Sequence, residues 1–182
     1  GIPVATTPRA KAAFPNDHPL SLGVLGFCGS PVAESYLKSD AVDVLLVIGA
    51  SLNQMTTSSW DPRLAPSKCL MQIDIDPSEI GKNYKTDLPL VGDAGTVVNE
   101  IFLRVLRFLN ENRDEIEKRT VRVHEEVARL KEEVGLYLEP EKLDDESVPL
   151  KPQRVVRELQ EALPEDAILF VDVGNSLAWA LH

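Results

Sequence analysis

The chain has 182 residues, of which 43% are hydrophobic and 26% charged, a composition typical of a soluble globular protein that can bury a core. Its 19 basic and 29 acidic side chains give a formal net charge of −10. Broad nucleic-acid binding needs Lys and Arg to neutralise phosphates, so this charge argues against such a partner. The longest apolar run, residues 44–50, is too short to cross a bilayer, and no signal peptide opens the sequence, so we expect a cytoplasmic protein without a membrane partner.

Strand and helix signals alternate in the first part of the chain. Residues 2–6 predict a short strand, and residues 8–19, with three prolines, predict a loop. Ser30, followed by a proline, is typical of a helix N-cap, and the helix is expected to run to about Lys38. Residues 43–49 form a continuous apolar run of strand length, which predicts a strand buried on both faces.

The middle of the chain continues this alternation. Residues 69–76 predict a strand that ends in alternating carboxylates, and residues 77–81 predict one or two helical turns. Residues 88–91 predict a fourth strand. The apolar residues of 94–109 recur on one stripe and predict a strong helix.

The last third begins with a second long helix, predicted over residues 114–134. Its narrow apolar seam suits packing on a domain surface or on a partner helix. Residues 138–151, with two prolines and five acidic side chains, predict a linker. A helix over 152–163, a buried strand over 167–173 and a turn into a final helix are expected after it.

The alternation as a whole predicts an α/β fold with a parallel sheet, arranged as a Rossmann-like three-layer sandwich. We predict a central α/β domain with trailing helices over residues 1–136, a linker over 137–151, and the first helix, strand and helix of a second domain over 152–182.

The carboxyl ends of the predicted strands carry the residues most suited to a ligand. They are residues 6–9, 49–53, 74–76 and 92–94. Ligands of open parallel sheets bind outside these ends, where small residues admit a phosphate and carboxylates accept ribose hydroxyls. Without further information, the residues indicate a nucleotide-binding-like domain and leave the function open.

Several features have two interpretations. The glycines at 23, 26 and 29 do not form the dinucleotide fingerprint, and a surface loop that needs positive φ explains them equally well. For Asp74 and Asp76, capping of the next helix is favoured over acid–base catalysis. Arg9 and Lys11 could bind phosphate, although surface ion pairs are favoured. Cys28 and Cys69 lack metal-ligand spacing and are expected to be buried free thiols, and we assign no metal site.

An ordered series of motifs over residues 2–109 resembles the middle domain of the acetolactate synthase-like thiamine-diphosphate enzymes. The motifs are residues 2–7 (IPVATT), 14–15, 18–20, 22–30 (LGVLGFCGS), 44–49 (VLLVIG), 73–83 (IDIDPSEIGKN) and 92–94 (GDA). The stretch 73–83 is the most specific of them. Residues 171–179 (VDVGNSLAW) look like the opening of the family's diphosphate-binding domain.

This resemblance implies a DHS-like NAD/FAD-binding fold within an enzyme of three α/β domains. Thiamine diphosphate and Mg²⁺ then lie between an N-terminal pyrimidine domain and the C-terminal diphosphate domain of a neighbouring subunit, which implies a homo-oligomer. The implied reaction is decarboxylation of a 2-keto acid, followed by protonation or carboligation, by a transferase or lyase in which the cofactor is the electron sink.

The resemblance also implies that the chain depends on domains it lacks. The glutamate of the pyrimidine domain and the Gly-Asp-Gly…Asn metal motif of the diphosphate domain are not in this sequence. We therefore expect the chain to be inactive alone and assign no catalytic residue to it.

The family pattern further implies a groove for FAD, or for an ADP-like nucleotide, on the middle domain. Its positions would be Thr7, Leu25, Gly26, Phe27, Gly49, Ala50, Ser51, Asp74, Ile75, Asp93 and Ala94, and Asn175 and Ser176 would approach the thiamine diphosphate. FAD-binding members carry a charged run resembling Arg-Phe-Asp-Asp-Arg where this sequence has residues 50–54 (ASLNQ). The charged anchors for FAD are therefore missing.

The family's first middle-domain strand is also not in the sequence, so we expect a sheet truncated at its N-terminal edge. We predict that residues 167–173 fill the vacant place, within the chain or by exchange between chains. Two alternatives stay open: a free-standing nucleotide-binding or regulatory module, and a structural domain that assembles through the helix over 116–134.

Overall fold

The computed structural model describes residues 1–164, 166–172 and 174–181. It has parallel strands flanked by helices, which confirms the predicted α/β fold. The described strands form two parallel sheets. The first pairs β1 (Val4–Thr6) with β2 (Ser21–Val24), and the second has the order β3 (Val44–Ile48), β4 (Cys69–Asp74) and β5 (Leu88–Val91).

Helices connect and cover the strands. They are α1 (Pro31–Leu37), α2 (Ala94–Glu111), α3 (Arg113–Val134), α4 (Pro152–Ala162) and α5 (Asn175–Leu181), together with 3₁₀ helices at Pro8–Ala13, Pro62–Leu64 and Pro140–Lys142. Each predicted long helix is present within two or three residues of its expected bounds. None of the described helices is both long enough and apolar enough to cross a membrane.

Helix α1 begins as the sequence predicts. The Ser30 hydroxyl oxygen accepts a hydrogen bond from the Val32 N–H at 3.2 Å, and a proline occupies the first turn. The cap aims the helix so that Val32 and Ala33 are fully buried against β2 and α3.

The main core lies between β2, α1 and α3. Its buried residues are Leu20, Leu22, Leu25, Val32, Ala33, Leu64, Val123 and Val127. The narrow seam of α3 thus packs on its own domain, through Val123 and Val127, which is one of the two partners that its spacing allows. A smaller cluster of Val47, Leu52 and Leu70 lies under the second sheet.

Strand β3 does not have the two buried faces that its composition predicts. Val47 is buried, but Val44, Leu46 and Ile48 are exposed. The reason is its position, because β3 is the edge of its sheet among the described strands. The short strand β2 was not predicted, since its Ser-Leu-Gly-Val sequence carries little strand signal. Residues 77–81 form turns rather than a helix.

The predicted strand over residues 167–173 is wrong for the residues that the structure describes. Residues 167–172 lie in no strand, and the side chains of Ile168 and Phe170 are 81% and 91% exposed. An apolar run forms a strand only beside other strands, and no described strand pairs with this one. The segment therefore does not fill the vacancy within its own chain, and Val173 lies outside the described residues.

The predicted linker is tied to the helix that follows it. The amide of Gln153 donates to Glu139 Oε2 at 2.7 Å, and Arg157 pairs with Asp144. The domain boundaries at residues 136 and 151 stay predictions. Cys28 and Cys69 are free, as expected, although both are half-buried rather than buried.

Candidate functional site

A cavity of about 620 Å³ opens between the facing edges of β1 and β3. We call it the inter-sheet cavity, because one wall is residues 2–7 of the first sheet and the other is residues 45–50 of the second. No strand of the described residues lies between these walls. The remaining lining comes from the 3₁₀ helix over Pro8–Ala13 and from side chains that include Tyr84.

Four predicted groove residues meet at the carboxyl-end rim of this cavity. Thr7 follows β1, Leu25 follows β2, and Gly49 and Ala50 follow β3, and all four line the inter-sheet cavity. Two parallel sheets that end at the same rim bring together residues up to 43 positions apart in the chain, as the strand-end argument predicts.

Thr6 belongs to this site; it is one of the strand-end residues 6–9, although it is not among the groove positions that the family pattern implies. Its side chain lines the inter-sheet cavity, the residue is only 9% exposed, and its hydroxyl oxygen has no hydrogen-bond partner among the described residues. A buried hydroxyl without a partner is costly, so a group in the cavity is expected to complete it. The only sequence signal was its position as the last residue of β1.

Gly26 and Phe27 line a neighbouring cavity of about 640 Å³ rather than the inter-sheet cavity. Gly26 has φ of +100°, and a Cβ at this position would lie 2.4 Å from the carbonyl oxygen of Met55. The glycine is thus required by close backbone packing, and the positive φ of the predicted loop is confirmed. Its surface location is wrong, because Gly26 is buried.

A compact ion-pair cluster holds the wall of this second cavity. Lys38 pairs with Glu34 and lies 3.1 Å from Asp61, which also pairs with Arg63 at 2.7 Å. Burial alone would lower the pKa of Lys38, but hydrogen bonds to Glu34 and Asp61 outweigh it and the pKa is raised. The hydrogen bonds from Arg63 hold the pKa of Asp61 far below its usual range.

Gln72 positions the loop beside Ala50, and this role was not predicted from the sequence. Its buried side-chain amide donates to the carbonyl oxygens of Ala50 at 3.3 Å and Glu79 at 3.2 Å. Its oxygen accepts from the Gly81 N–H at 3.0 Å and the Thr86 hydroxyl at 2.9 Å. A fully satisfied buried amide of this kind fixes the rim of the inter-sheet cavity.

The acidic end of β4 acts locally. Asp74 Oδ1 accepts from the Asp76 N–H at 3.0 Å, and Asp76 accepts from the N–H and hydroxyl of Ser78. The Ser78 hydrogen bonds lower the pKa of Asp76. The favoured prediction, capping of the next helix, is wrong, because these hydrogen bonds hold a turn and no helix begins at residues 77–81. Asp74 and the exposed Ile75 line neither cavity.

Asp93 and Ala94 also lie away from both cavities, at the start of α2. Asp93 is the N-cap, and its carboxylate accepts from the Thr96 N–H at 2.9 Å and the Thr96 hydroxyl at 3.0 Å. These hydrogen bonds lower its pKa. Ser51 lines neither cavity, but its carbonyl oxygen accepts from Asn83 at 2.8 Å, beside the rim.

Asn175 and Ser176 open α5 and are exposed, and neither lines a described cavity. The other end of α5 is fixed by Lys11, whose ammonium donates to the Ala180 carbonyl oxygen at 2.6 Å. Burial lowers the pKa of Lys11. Lys11 thus contacts backbone and forms no ion pair with any of the described residues.

The lining of the inter-sheet cavity suits the binding of a largely apolar group. Its lining is apolar apart from hydroxyls and backbone, and it contains no charged side chain. Within residues 1–164, 166–172 and 174–181, no cluster of three His, Cys, Asp or Glu side chains could hold a metal ion. The cavity can accept an apolar group that also offers hydrogen bonds to strand edges and to the Thr6 hydroxyl.

Comparison with known proteins agrees with the motif series. Residues 1–101 match the family model described as "Thiamine pyrophosphate enzyme, central domain". The probable acetolactate synthase large subunit of Methanocaldococcus jannaschii is 36% identical over the whole chain, which covers 29% of that protein. The corresponding protein of Methanococcus aeolicus is 31% identical over the whole chain, which covers 30% of it.

A bacterial relative has a similar identity and is covered to a similar extent. The acetolactate synthase large subunit of Corynebacterium glutamicum is 34% identical over 99% of the chain, which covers 27% of that protein. The chain thus spans less than a third of the length of these relatives. The alignments continue past residue 101 through the linker and into the residues after it, so the similarity is not confined to the α/β core.

Proposed function

This chain belongs to the family of thiamine pyrophosphate enzyme central domains, and we propose that it serves as the central domain of a longer enzyme that uses thiamine diphosphate to decarboxylate a 2-keto acid. The reaction class is that of an acetolactate synthase-like transferase or lyase. The observation that carries the proposal is identity of 31–36% along the whole chain to acetolactate synthase large subunits that are more than three times its length.

In this proposal the chain has a structural role and does not itself catalyse the reaction. Thiamine diphosphate, held with Mg²⁺ by the N-terminal and C-terminal domains of the longer protein, supplies the electron sink. The chain contributes a rigid α/β body, and Asn175 and Ser176 approach the cofactor only once the diphosphate domain is complete. The longer enzyme is proposed to be a cytoplasmic homo-oligomer.

Activity tests this proposal in two arms. In the first, the chain alone is incubated with pyruvate, thiamine diphosphate and Mg²⁺, and we expect no acetolactate. In the second, the chain replaces the matching segment of the Corynebacterium glutamicum large subunit, and we expect the chimera to form acetolactate. Activity of the isolated chain, or a soluble chimera that binds thiamine diphosphate and stays inactive, would contradict the proposal.

A second candidate function, a nucleotide site, is favoured by the meeting of Thr7, Leu25, Gly49 and Ala50 at one rim. The apolar lining fits a flat ring, either flavin or adenine. The diphosphate of FAD or ADP would find no cation in the lining, since the charged anchors of FAD-binding members are replaced by residues 50–54. The residues thus fit the ring better than the diphosphate.

Calorimetric titration with FAD, ADP and NAD tests this second function. Binding of any one with a dissociation constant near about 1 µM would support a nucleotide role for the central domain. If none of the three nucleotides binds, only the structural role of the central domain remains. The family assignment would not be affected.

A further inference from the structure

Residues 53–63 lead from the turn after β3 across the loop that precedes α1, and we call this segment the strap. We propose that the strap is a lid on the second cavity, of about 640 Å³, that it opens as one unit, and that the carboxylate of Glu34 is the latch that holds it closed. This inference does not depend on the thiamine-diphosphate proposal.

The strap forms part of the wall of the second cavity. Ser58 and Arg63 line the cavity from the strap, whereas residues 26–29 and Glu34 line it from the preceding loop and from α1. The Phe27 N–H donates to the carbonyl oxygen of Met55 at 2.8 Å and so joins the loop to the strap. Movement of the strap away from α1 would break this hydrogen bond and widen the cavity.

The strap has hydrogen bonds of its own. The carbonyl oxygen of Asn53 accepts from the Thr57 N–H at 3.0 Å and from the Thr57 hydroxyl at 2.8 Å. The Ser59 N–H donates to the Gln54 carbonyl oxygen at 2.8 Å, and the Asp61 N–H donates to the Thr57 carbonyl oxygen at 3.0 Å. Because both partners of each bond belong to the strap, these bonds can persist while the strap moves.

A left-handed turn at the centre of the strap is also held from within. Ser58, Ser59 and Trp60 have φ of 51°, 66° and 60°, a conformation that residues with a Cβ adopt only where surrounding contacts enforce it. The Trp60 N–H donates to the Thr57 hydroxyl oxygen at 3.0 Å, and Thr57 is fully buried. The turn therefore belongs to the same unit as the bonds around Asn53.

Apolar packing anchors the strap weakly. Leu52 and Leu64, which flank it, are buried, but Met55 and Trp60 within it are 52% and 47% exposed. Segments with little buried apolar surface open locally at a lower free energy than the core does. Polar contacts to α1 and its preceding loop must therefore contribute much of what keeps the strap closed.

Glu34 is at the centre of these polar contacts. Its Oε1 accepts from the Ser58 hydroxyl at 3.0 Å and from the Gly26 N–H at 3.2 Å, and its Oε2 pairs with Lys38. Hydrogen bonds to a charged acceptor are stronger than those between neutral groups. One carboxylate thus connects the strap, the loop and the helix, which makes it the latch.

The Asp61 end of the strap has separate contacts. Lys38 lies 3.1 Å from the carboxylate of Asp61, and the Tyr84 hydroxyl donates to the Asp61 carbonyl oxygen at 2.9 Å. We expect this end to be the pivot of the motion and residues 55–59 to move furthest.

Amide hydrogen exchange measured by NMR tests the latch. The Phe27 amide reports opening, because its hydrogen bond crosses from the loop to the strap, and the Thr57 and Ser59 amides report the integrity of the strap. In Glu34→Ala we expect the Phe27 amide to exchange at least about tenfold faster than in the native chain, because a bond to a charged acceptor is lost. The Thr57 and Ser59 amides should change by less than about twofold.

Two further variants separate the latch from a general loosening of the loop. Ser58→Ala removes only the strap's side of the latch and leaves the bond from Gly26 to Glu34, and it should speed exchange at Phe27 at least about threefold. Added to Glu34→Ala it should have no further effect, because the bond is already lost. Ser35→Ala, at an exposed neighbour that lines the same cavity, is the matched control and should exchange as the native chain does.

Unchanged exchange at Phe27 in both Glu34→Ala and Ser58→Ala would overturn the proposal. Acceleration at Thr57 and Ser59 equal to that at Phe27 would also overturn it, because the strap would then unfold rather than open as a unit. If Glu34→Ala does not fold, Ser58→Ala decides alone, since its side chain is at the surface.

Discussion

The side-chain amide of Gln72 in β4 lies 3.3 Å from the carbonyl oxygen of Ala50 and donates a hydrogen bond to it. This contact joins the interior of the second sheet to the rim of the inter-sheet cavity. Because the same side chain also holds the loop over residues 79–86, it links the cavity rim to the segment that carries the most specific family motif.

We expect Gln72→Leu to lower the free energy of unfolding by about 2–3 kcal/mol. The substitution keeps the volume but removes four hydrogen bonds, those from the Gly81 N–H and the half-buried Thr86 hydroxyl and those to the Ala50 and Glu79 carbonyl oxygens, each worth about 0.5–1.5 kcal/mol. Urea unfolding followed by circular dichroism measures the change. Gln54→Leu is the matched control at an exposed site and should change stability by less than about 0.5 kcal/mol. Equal effects at the two positions would show that Gln72 has no such role.

Gly26→Ala and Gly49→Ala separate steric clash from backbone strain. Both glycines have positive φ, but a Cβ on Gly26 would meet the Met55 carbonyl oxygen at 2.4 Å, whereas one on Gly49 would have open space within 4 Å. We expect Gly49→Ala to cost about 1 kcal/mol of stability from strain alone, and Gly26→Ala to cost at least about 3 kcal/mol. The urea unfolding midpoints of the two variants measure these losses. Similar losses would mean that the backbone of Gly26 does not pack closely against the Met55 carbonyl oxygen.

Asp93→Asn tests the pH dependence of the α2 cap. The Thr96 hydrogen bonds lower the folded-state pKa of Asp93 below its unfolded value. The carboxylate therefore adds stability at neutral pH, and this contribution is lost as the pH falls below about 4. We expect the urea midpoints of the native chain and Asp93→Asn to differ at pH 7, and the difference to shrink steadily as the pH falls below about 4. Asp17→Asn, in an exposed loop, should show no such convergence.

Ala50→Trp tests whether a nucleotide binds at the rim. Ala50 lines the inter-sheet cavity, and an indole there would fill space that a flavin or adenine ring needs. Any nucleotide binding found by calorimetry should weaken at least about tenfold in this variant. Ala162→Trp, at the exposed end of α4, should bind as the native chain does. Unchanged binding in Ala50→Trp would place the nucleotide elsewhere.

Local signals predicted the elements whose causes are local. Ser30 with its following proline predicted α1, and the spacing of Val123 and Val127 predicted the seam of α3, because capping and helical periodicity act over a few residues. The strand-end argument correctly brought Thr7 and Ala50 to one rim, because parallel strands end on the same edge.

Features that depend on distant contacts could not be predicted. The partners of Gln72 lie up to 22 residues away, and the unpaired hydroxyl of Thr6 follows from a gap between two sheets. Residues 167–172 have the composition of a buried strand, but composition does not supply the neighbouring strands that bury it. The family pattern implies a groove position for Asp93, and its role as the N-cap of α2 was not predicted.

The reading frame around the coding segment tests the central claim most directly. We predict that sequencing of the DNA on both sides finds one continuous frame. Upstream it should encode a pyrimidine domain with an activating glutamate, and downstream a Gly-Asp-Gly…Asn metal motif. A frame closed by start and stop codons immediately around these 182 residues would contradict the account, because the chain would then lack both partners that its proposed function requires.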